Sequence, residues 1–183
     1  MYGMINKAIE GLIVSNFGEE KWMIIREKAG YGSHSFIGMN YYPDNLTYKL
    51  VTSASETLNK PADELLEAFG EYWILYTAEE GYGEMMSLGG NSFREFIENL
   101  NLLHFRIGNI LPDLVMPNFD ILHSDEKNIQ LEYRSTRPGL AAMVTGLLRG
   151  LSLRFHTPCE IVRKDTVQEE GEYITLFEIR LEL

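Results

Sequence analysis

Cysteine is almost absent from this chain: Cys159 is the only one in 183 residues. An intramolecular disulfide is therefore excluded, which fits a reducing compartment. No apolar run approaches the ~18 residues that a membrane-spanning helix needs. The first residues also lack the basic start, unbroken apolar stretch and small-residue cleavage site of a secretory signal. A soluble, cytoplasmic protein is the expectation. Basic residues are scarce as well. Sixteen Lys and Arg stand against 27 Asp and Glu, a net charge of −11. A nucleic-acid partner, which needs a basic patch, is not expected. Repeats and low-complexity tracts are missing. Gly81-Tyr82-Gly83 is too short for a phosphate loop, and His34, His123 and His156 lack the spacing of a zinc site. Ser135 has no evident His and Asp partners, so hydrolase chemistry is not expected.

What is present is a globular composition. Apolar residues make up 45% and charged residues 23%, enough for one domain, or one domain with two lobes. Residues 2 to about 110 read mainly as helix. Ile5, Ala8, Ile9, Leu12 and Ile13 recur at helical spacing, and Gly18 marks the stop. A second helix over 19–29 ends at Gly30, and a loop follows from Tyr31 to Asn40. Asp44 is placed to cap a helix reaching Leu58. Pro61 opens a helix over 61–69, and Gly70 begins an aromatic cluster of Tyr72, Trp73 and Tyr76. Gly81 and Gly83 make a further break. Ser92 and Glu95 form a capping box for one long helix, on which His104 shares the buried face with Ile97 and Leu100. Pro112 ends that helix. Strands follow over 117–124 and 128–136, then a helix over 139–155, then strands over 159–166 and 172–182. Four strands in two hairpins imply an antiparallel sheet and an α+β fold, a helical lobe packed against a sheet lobe.

The chemistry concentrates in two places. On a strand, Tyr133, Ser135 and Arg137 line one face at intervals of roughly 6.6 Å. A phenol, a hydroxyl and a guanidinium fork are all hydrogen-bond donors, and such a row suits carboxylates. His104 offers an imidazole, the commonest metal ligand. A flat cofactor with two carboxylates on one edge and a metal at its centre would use both features, and haem is such a cofactor. Taken singly, each has a plainer reading. A lone histidine on an apolar helix face also serves as a core residue, and the strand row could simply face water.

In combination and in order, these features resemble the haem–nitric oxide/oxygen binding (H-NOX) domain family, which includes the haem domain of soluble guanylate cyclase. The resemblance covers the whole chain: Met1-Tyr2-Gly3-Met4-Ile5-Asn6, Phe69-Gly70-Glu71-Tyr72-Trp73, the His104 helix, Pro117, the Tyr133/Ser135/Arg137 row and the Gly146-Leu147 helix. It implies haem b between a helical lobe, about 1–60, and a ligating-helix and sheet lobe, about 61–183. It makes His104 the proximal iron ligand, Tyr133, Ser135 and Arg137 the clamp on the propionates, and Pro117 the residue that presses on the porphyrin.

The resemblance also implies a distal pocket of Ile5, Trp73, Met143 and Leu147. Oxygen-binding relatives place a tyrosine where this chain has Met143, with one residue inserted after Arg137. The expectation is a sensor that binds NO and CO, excludes O2, and is not an enzyme. Release of His104 would shift the lobes and signal to a separate effector: a histidine kinase, a cyclic-dinucleotide enzyme or a guanylate cyclase. The rival readings are a haem peroxidase or NO dioxygenase, which wants a distal His or Arg, and a haem-free module binding another carboxylate ligand.

Overall fold

The computed structural model describes residues 1–79, 83–111 and 113–182. Helices α1 (Gly3–Phe17), α2 (Glu19–Lys28), α3 (Asp44–Leu58), α4 (Ala62–Glu79), α5 (Gly83–Ser87), α6 (Phe93–Glu98) and α7 (Leu100–Ile110) come first. Strands β1 (Asn118–Ser124) and β2 (Asn128–Ser135), helix α8 (Ala141–Arg154), and strands β3 (Cys159–Arg163), β4 (Val167–Glu169) and β5 (Glu172–Leu181) complete the fold. It is the α+β arrangement that the periodicity predicts. Among the described residues, no helix is long and apolar enough to cross a membrane. The expected breaks at Gly81, with Tyr82, and at Pro112 lie outside the described residues.

The early helix ends fall close to their signals. Gly18 stops α1 at a φ of 86°, and Asn59 ends α3 in the left-handed region, conformations that cost glycine and asparagine least. Four expectations change. The helix over 61–69 runs on through Gly70 to Glu79 as α4, because Gly70 serves contact with α8 rather than a stop. The long helix after Ser92 is two, α6 and α7, broken at Asn99, whose φ and ψ are −95° and 0° and whose side-chain amide donates to the Gly89 carbonyl at 3.1 Å. Ser92 does cap α6, its hydroxyl accepting from the Glu95 N–H at 3.2 Å, but the Glu95 carboxylate reaches back to the Asn91 N–H instead. The four-stranded sheet has a fifth short strand. The predicted strand over 159–166 stops at Arg163 as β3, and β4 forms in the connection before β5, both paired with β5, giving the order β1-β2-β5-β3 with β4 on β5. Glu170 and Gly171, with φ of 51° and 86°, make the tight turn of the β4–β5 hairpin.

Two buried clusters form the core. One gathers α1, α2, α3 and the start of α4 around Ile9, Ile13, Trp22, Leu50 and Phe69. The other packs α6, α7 and α8 on the inner face of the sheet, around Phe96, Ile97, Leu131, Leu148 and Phe177. Trp73 packs against both. Helices α4 and α8 meet without side chains between them. A Cβ on Gly70 would overlap the Met143 carbonyl, and one on Gly146 would overlap the Glu67 carbonyl.

Backbone cannot yield as a flexible side chain does, so Gly146→Ala should lower stability by about 1–3 kcal/mol, the cost of overpacking. A lower urea midpoint with an unchanged slope is the expected result.

Candidate functional site

Alternation along β2 buries Ile129, Leu131, Tyr133 and Ser135 on one face, as period-2 patterning requires. Tyr133 and Ser135 therefore point into the protein, 3% and 5% exposed. Burial pushes the Tyr133 phenol up from its usual pKa, against the opposing pull of Ser135 and Arg137. Arg137 lies two residues past the strand, and its backbone N–H donates to the Ser135 hydroxyl at 3.1 Å. Its guanidinium is committed on two sides: Nε donates to Asp44 at 2.6 Å and Nη1 to the Val115 carbonyl at 2.5 Å.

Asp44 has a different task from the helix cap expected of it. It is the first residue of α3, and its side chain caps nothing. Its second oxygen instead receives the Met1 ammonium at 2.5 Å, while that ammonium also donates to the Tyr42 carbonyl at 2.6 Å. Partial burial alone would raise the Asp44 carboxyl. Hydrogen bonds and charge from the Met1 ammonium and Arg137 outweigh it and hold the pKa below its usual 3.8. One turn along α3, the Tyr48 hydroxyl donates to the Pro138 carbonyl at 2.9 Å. Helix α3 thus grips the segment after β2 twice.

His104 is half-buried on α7. Its Nδ1 lies 3.2 Å from the Pro117 carbonyl. A carbonyl only accepts, so Nδ1 carries the proton and Nε2 presents a lone pair. Burial lowers the His104 pKa, with the bond to Pro117 opposing, and the ring stays neutral near pH 7. Its ring lies 5.6 Å from Phe119, which lies 5.3 Å from Tyr133, so His104 and the strand row share one aromatic neighbour. Among the described residues, no group of three or more His, Cys, Asp or Glu could hold a metal ion. The donor set is that of one axial imidazole, not of a protein-only metal centre.

The remaining predicted residues fall on three helices: Ile5 on α1, Trp73 on α4, and Met143 and Leu147 on α8. Ile5, Trp73 and Met143 pack against the N-terminal cluster, and Leu147 against the sheet-side cluster. Ile9 is 4% exposed in the same cluster as Ile5. Its place one turn along α1 from Ile5 was a signal that the sequence carried. A groove of about 390 Å³ elsewhere, over Gln130, Val162, Glu178 and Arg180 on the outward side of the sheet, shares none of these residues.

The Asp44 pair sets a pH window. A folded-state pKa below 3.8 contributes stability that is full above that pH and is lost as pH falls through the lower, folded value. Asp44→Asn should cost about 1–3 kcal/mol at pH 7, the worth of charge-assisted bonds. In urea unfolding, the gap between variant and parent should shrink as pH falls below 3.8 through the lowered folded-state pKa.

Comparison with known proteins places the fold and the family. The haem-NO-binding family model matches residues 2–163. Soluble guanylate cyclase gcy-32 of Caenorhabditis elegans is 32% identical over 157 residues, covering 84% of this chain and 23% of the relative. Its paralogue gcy-35 is 30% identical over 176 residues, covering 94% and 25%. The chain thus spans about a quarter of the length of these relatives. The unliganded Fe(II) H-NOX protein from K. algicida superposes with a TM-score of 0.85 at 20% identity, covering 100% of this chain and 97% of that one. An oxygen-binding H-NOX domain related to soluble guanylate cyclases superposes at 0.84 and 16% identity, covering 100% and 96%. The chain belongs to the haem-NO-binding, or H-NOX, family of haem sensor domains.

Proposed function

We propose that this chain senses NO and CO through haem b, excludes O2, and passes the event to a separate effector protein without catalysis of its own. The observation that carries the reading is the contact of His104 Nδ1 with the Pro117 carbonyl at 3.2 Å, which leaves Nε2 as a lone-pair donor, on a ring that shares Phe119 as a neighbour with Tyr133 of the strand row. The donor set fits haem on both counts: a neutral imidazole for the iron, and hydroxyl and guanidinium donors for the propionates. Bound haem supplies a ferrous iron that takes up diatomic gases. Pro117 plays two parts in this reading. Its carbonyl orients His104, and with Ile5 its ring would press on a bound porphyrin.

Gas choice follows from the distal side chains. Met143, Leu147 and Ile5 carry no hydrogen-bond donor, and Trp73 has only its indole N–H. NO and CO need no donor. O2 gains most from one, and lacking a bond of about 1.5–3 kcal/mol weakens it roughly 10- to 150-fold. Release of His104 frees α7 and lets the helical lobe, about 1–60, shift against the rest. That shift is a signal only to a partner that distinguishes the two states. A guanylate cyclase, a histidine kinase or a cyclic-dinucleotide enzyme fits this role, the first supported by the names of the relatives.

Visible spectra of the reduced protein test the reading. A Soret band that ignores air and shifts with CO and NO is expected; no band, even after haemin is added, would sink it, and a stable complex in air would remove O2 exclusion. Met143→Tyr should raise O2 affinity roughly 10- to 150-fold. Arg137→Ala should lose haem while keeping its far-UV spectrum.

A further inference from the structure

The two ends of the sheet are finished differently. At the β1 end, the Asn101 carboxamide donates to the Phe119 carbonyl at 2.7 Å and accepts from the Phe119 N–H at 2.9 Å. A side chain there takes the place of a further strand. Strand β3 closes the other end of the order. Two bonds just beyond its limits set its phase: the Lys164 N–H donates to the Leu176 carbonyl and the Glu182 N–H to the Pro158 carbonyl, both at 2.9 Å. Antiparallel bonding alternates along a strand. Glu160 and Val162 therefore bond to β5, and Cys159, Ile161 and Arg163 turn their N–H and C=O groups outward. Among the described residues, no main-chain partner from another segment reaches those groups. An open row of this kind is a template for another strand.

The side chains along this edge narrow the choice of strand. Cys159, Ile161 and Arg163 are half-buried on the inner face, whereas Glu160, Val162 and Lys164 are exposed on the outer one. The exposed triplet reads acidic, apolar, basic. Reversed, it is its own complement. Antiparallel pairing of two copies about Val162 sets Glu160 of each opposite Lys164 of the other, with Val162 facing Val162. Ile161 and Arg163 then meet as hydrogen-bonded pairs and use the outward groups. Centring the pairing on Arg163 instead puts two guanidinium groups opposite each other, which repulsion disfavours. Within one copy, Glu160 lies 3.6 Å from Arg180, and Lys164 lies 2.9 Å from Glu178. Pairing about Val162 extends these contacts into a row of alternating sign: Arg180 and Glu160 of one copy, then Lys164 and Glu178 of the other.

We propose that β3 is a self-pairing edge, along which two copies of this chain join antiparallel so that the sheet runs from one protomer into the next. The contact is isologous, the same patch on both copies. It goes beyond the sensing function above and does not depend on haem. Two short strands bury less than a standard interface, so the dimer forms only as concentration rises. Strand β3 is at the opposite end of the sheet order from β1, so pairing there leaves the contact of His104 with Pro117 uncovered.

The test is analytical ultracentrifugation of the purified chain from about 1 to about 300 µM, a range that brackets weak association. The parent should shift from monomer toward dimer. Glu160→Lys and Lys164→Glu each set like charges opposite one another, and each should weaken the dimer roughly tenfold or more. Mixed in equal amounts, the two variants restore opposite charges at both pairs, and the dimer should return. Val162→Cys in a Cys159→Ser background should crosslink under mild oxidation, because facing side chains of such a pair lie near disulfide reach. Leu122→Cys in the same background, exposed on β1, should not. A parent chain that stays monomeric throughout overturns the proposal. So does a dimer that neither charge variant weakens, since the contact then lies on another face, and so does a mixture no stronger than its components. Should a charge variant fail to fold, the Val162→Cys crosslink decides, and its absence overturns the proposal.

Discussion

Helices α4 and α8 touch backbone to backbone at Gly70 and Gly146, and the Trp73, Met143 and Leu147 side of the candidate site hangs from that contact. Trp73 is three residues after Gly70, and Met143 three residues before Gly146. Each is thus one turn from the contact, on a helix that cannot be pushed aside by a side chain in between. The separation of these two residues is set by peptide planes rather than by adjustable side chains. Trp73 also packs against both buried clusters, so in the proposed reading the distal wall would fall at the junction of the two cores.

The other side of the site is organised by polar contacts that cross long stretches of sequence. Asp44 gathers the Met1 ammonium and Arg137, fastening the first residues and the start of α3 to the segment after β2. Pro117 and Phe119 hold α7 through their backbone. A rigid apolar junction above and a polar, more easily opened attachment below suit a device in which one side moves and the other does not. Protein interiors switch between discrete packings more readily than they deform.

Much of this was readable in the sequence. The α+β class, the ends of α1, α2 and α3, the β2 alternation and the placing of Tyr133 and Ser135 followed from periodicity and turn chemistry. Failures came where one residue type serves two purposes. Gly70 looked like a helix stop because glycine often is one, whereas here it permits a close helix crossing, a tertiary fact with no local mark. Asp44 had the position of a cap, and no local rule reveals that its partner is an arginine 93 residues away. The kink at Asn99 was hidden because its apolar neighbours keep a helical period across it. Strand β4 was hidden because its three residues sit in the expected connection and are defined only by pairing with β5.

Pro117 and Phe119 hold the His104 helix with main-chain atoms. A proline at 117 can be exchanged for almost any residue and still offer its carbonyl, and Phe119 keeps its N–H and C=O whatever its side chain. As far as these main-chain bonds alone are concerned, the letter can vary while the contact is retained; what the Pro117 and Phe119 rings add is separate. Comparing sequences column by column would undervalue this part of the protein, whereas Asn101 and His104, whose side chains make the other half of each bond, would carry the whole visible record of it.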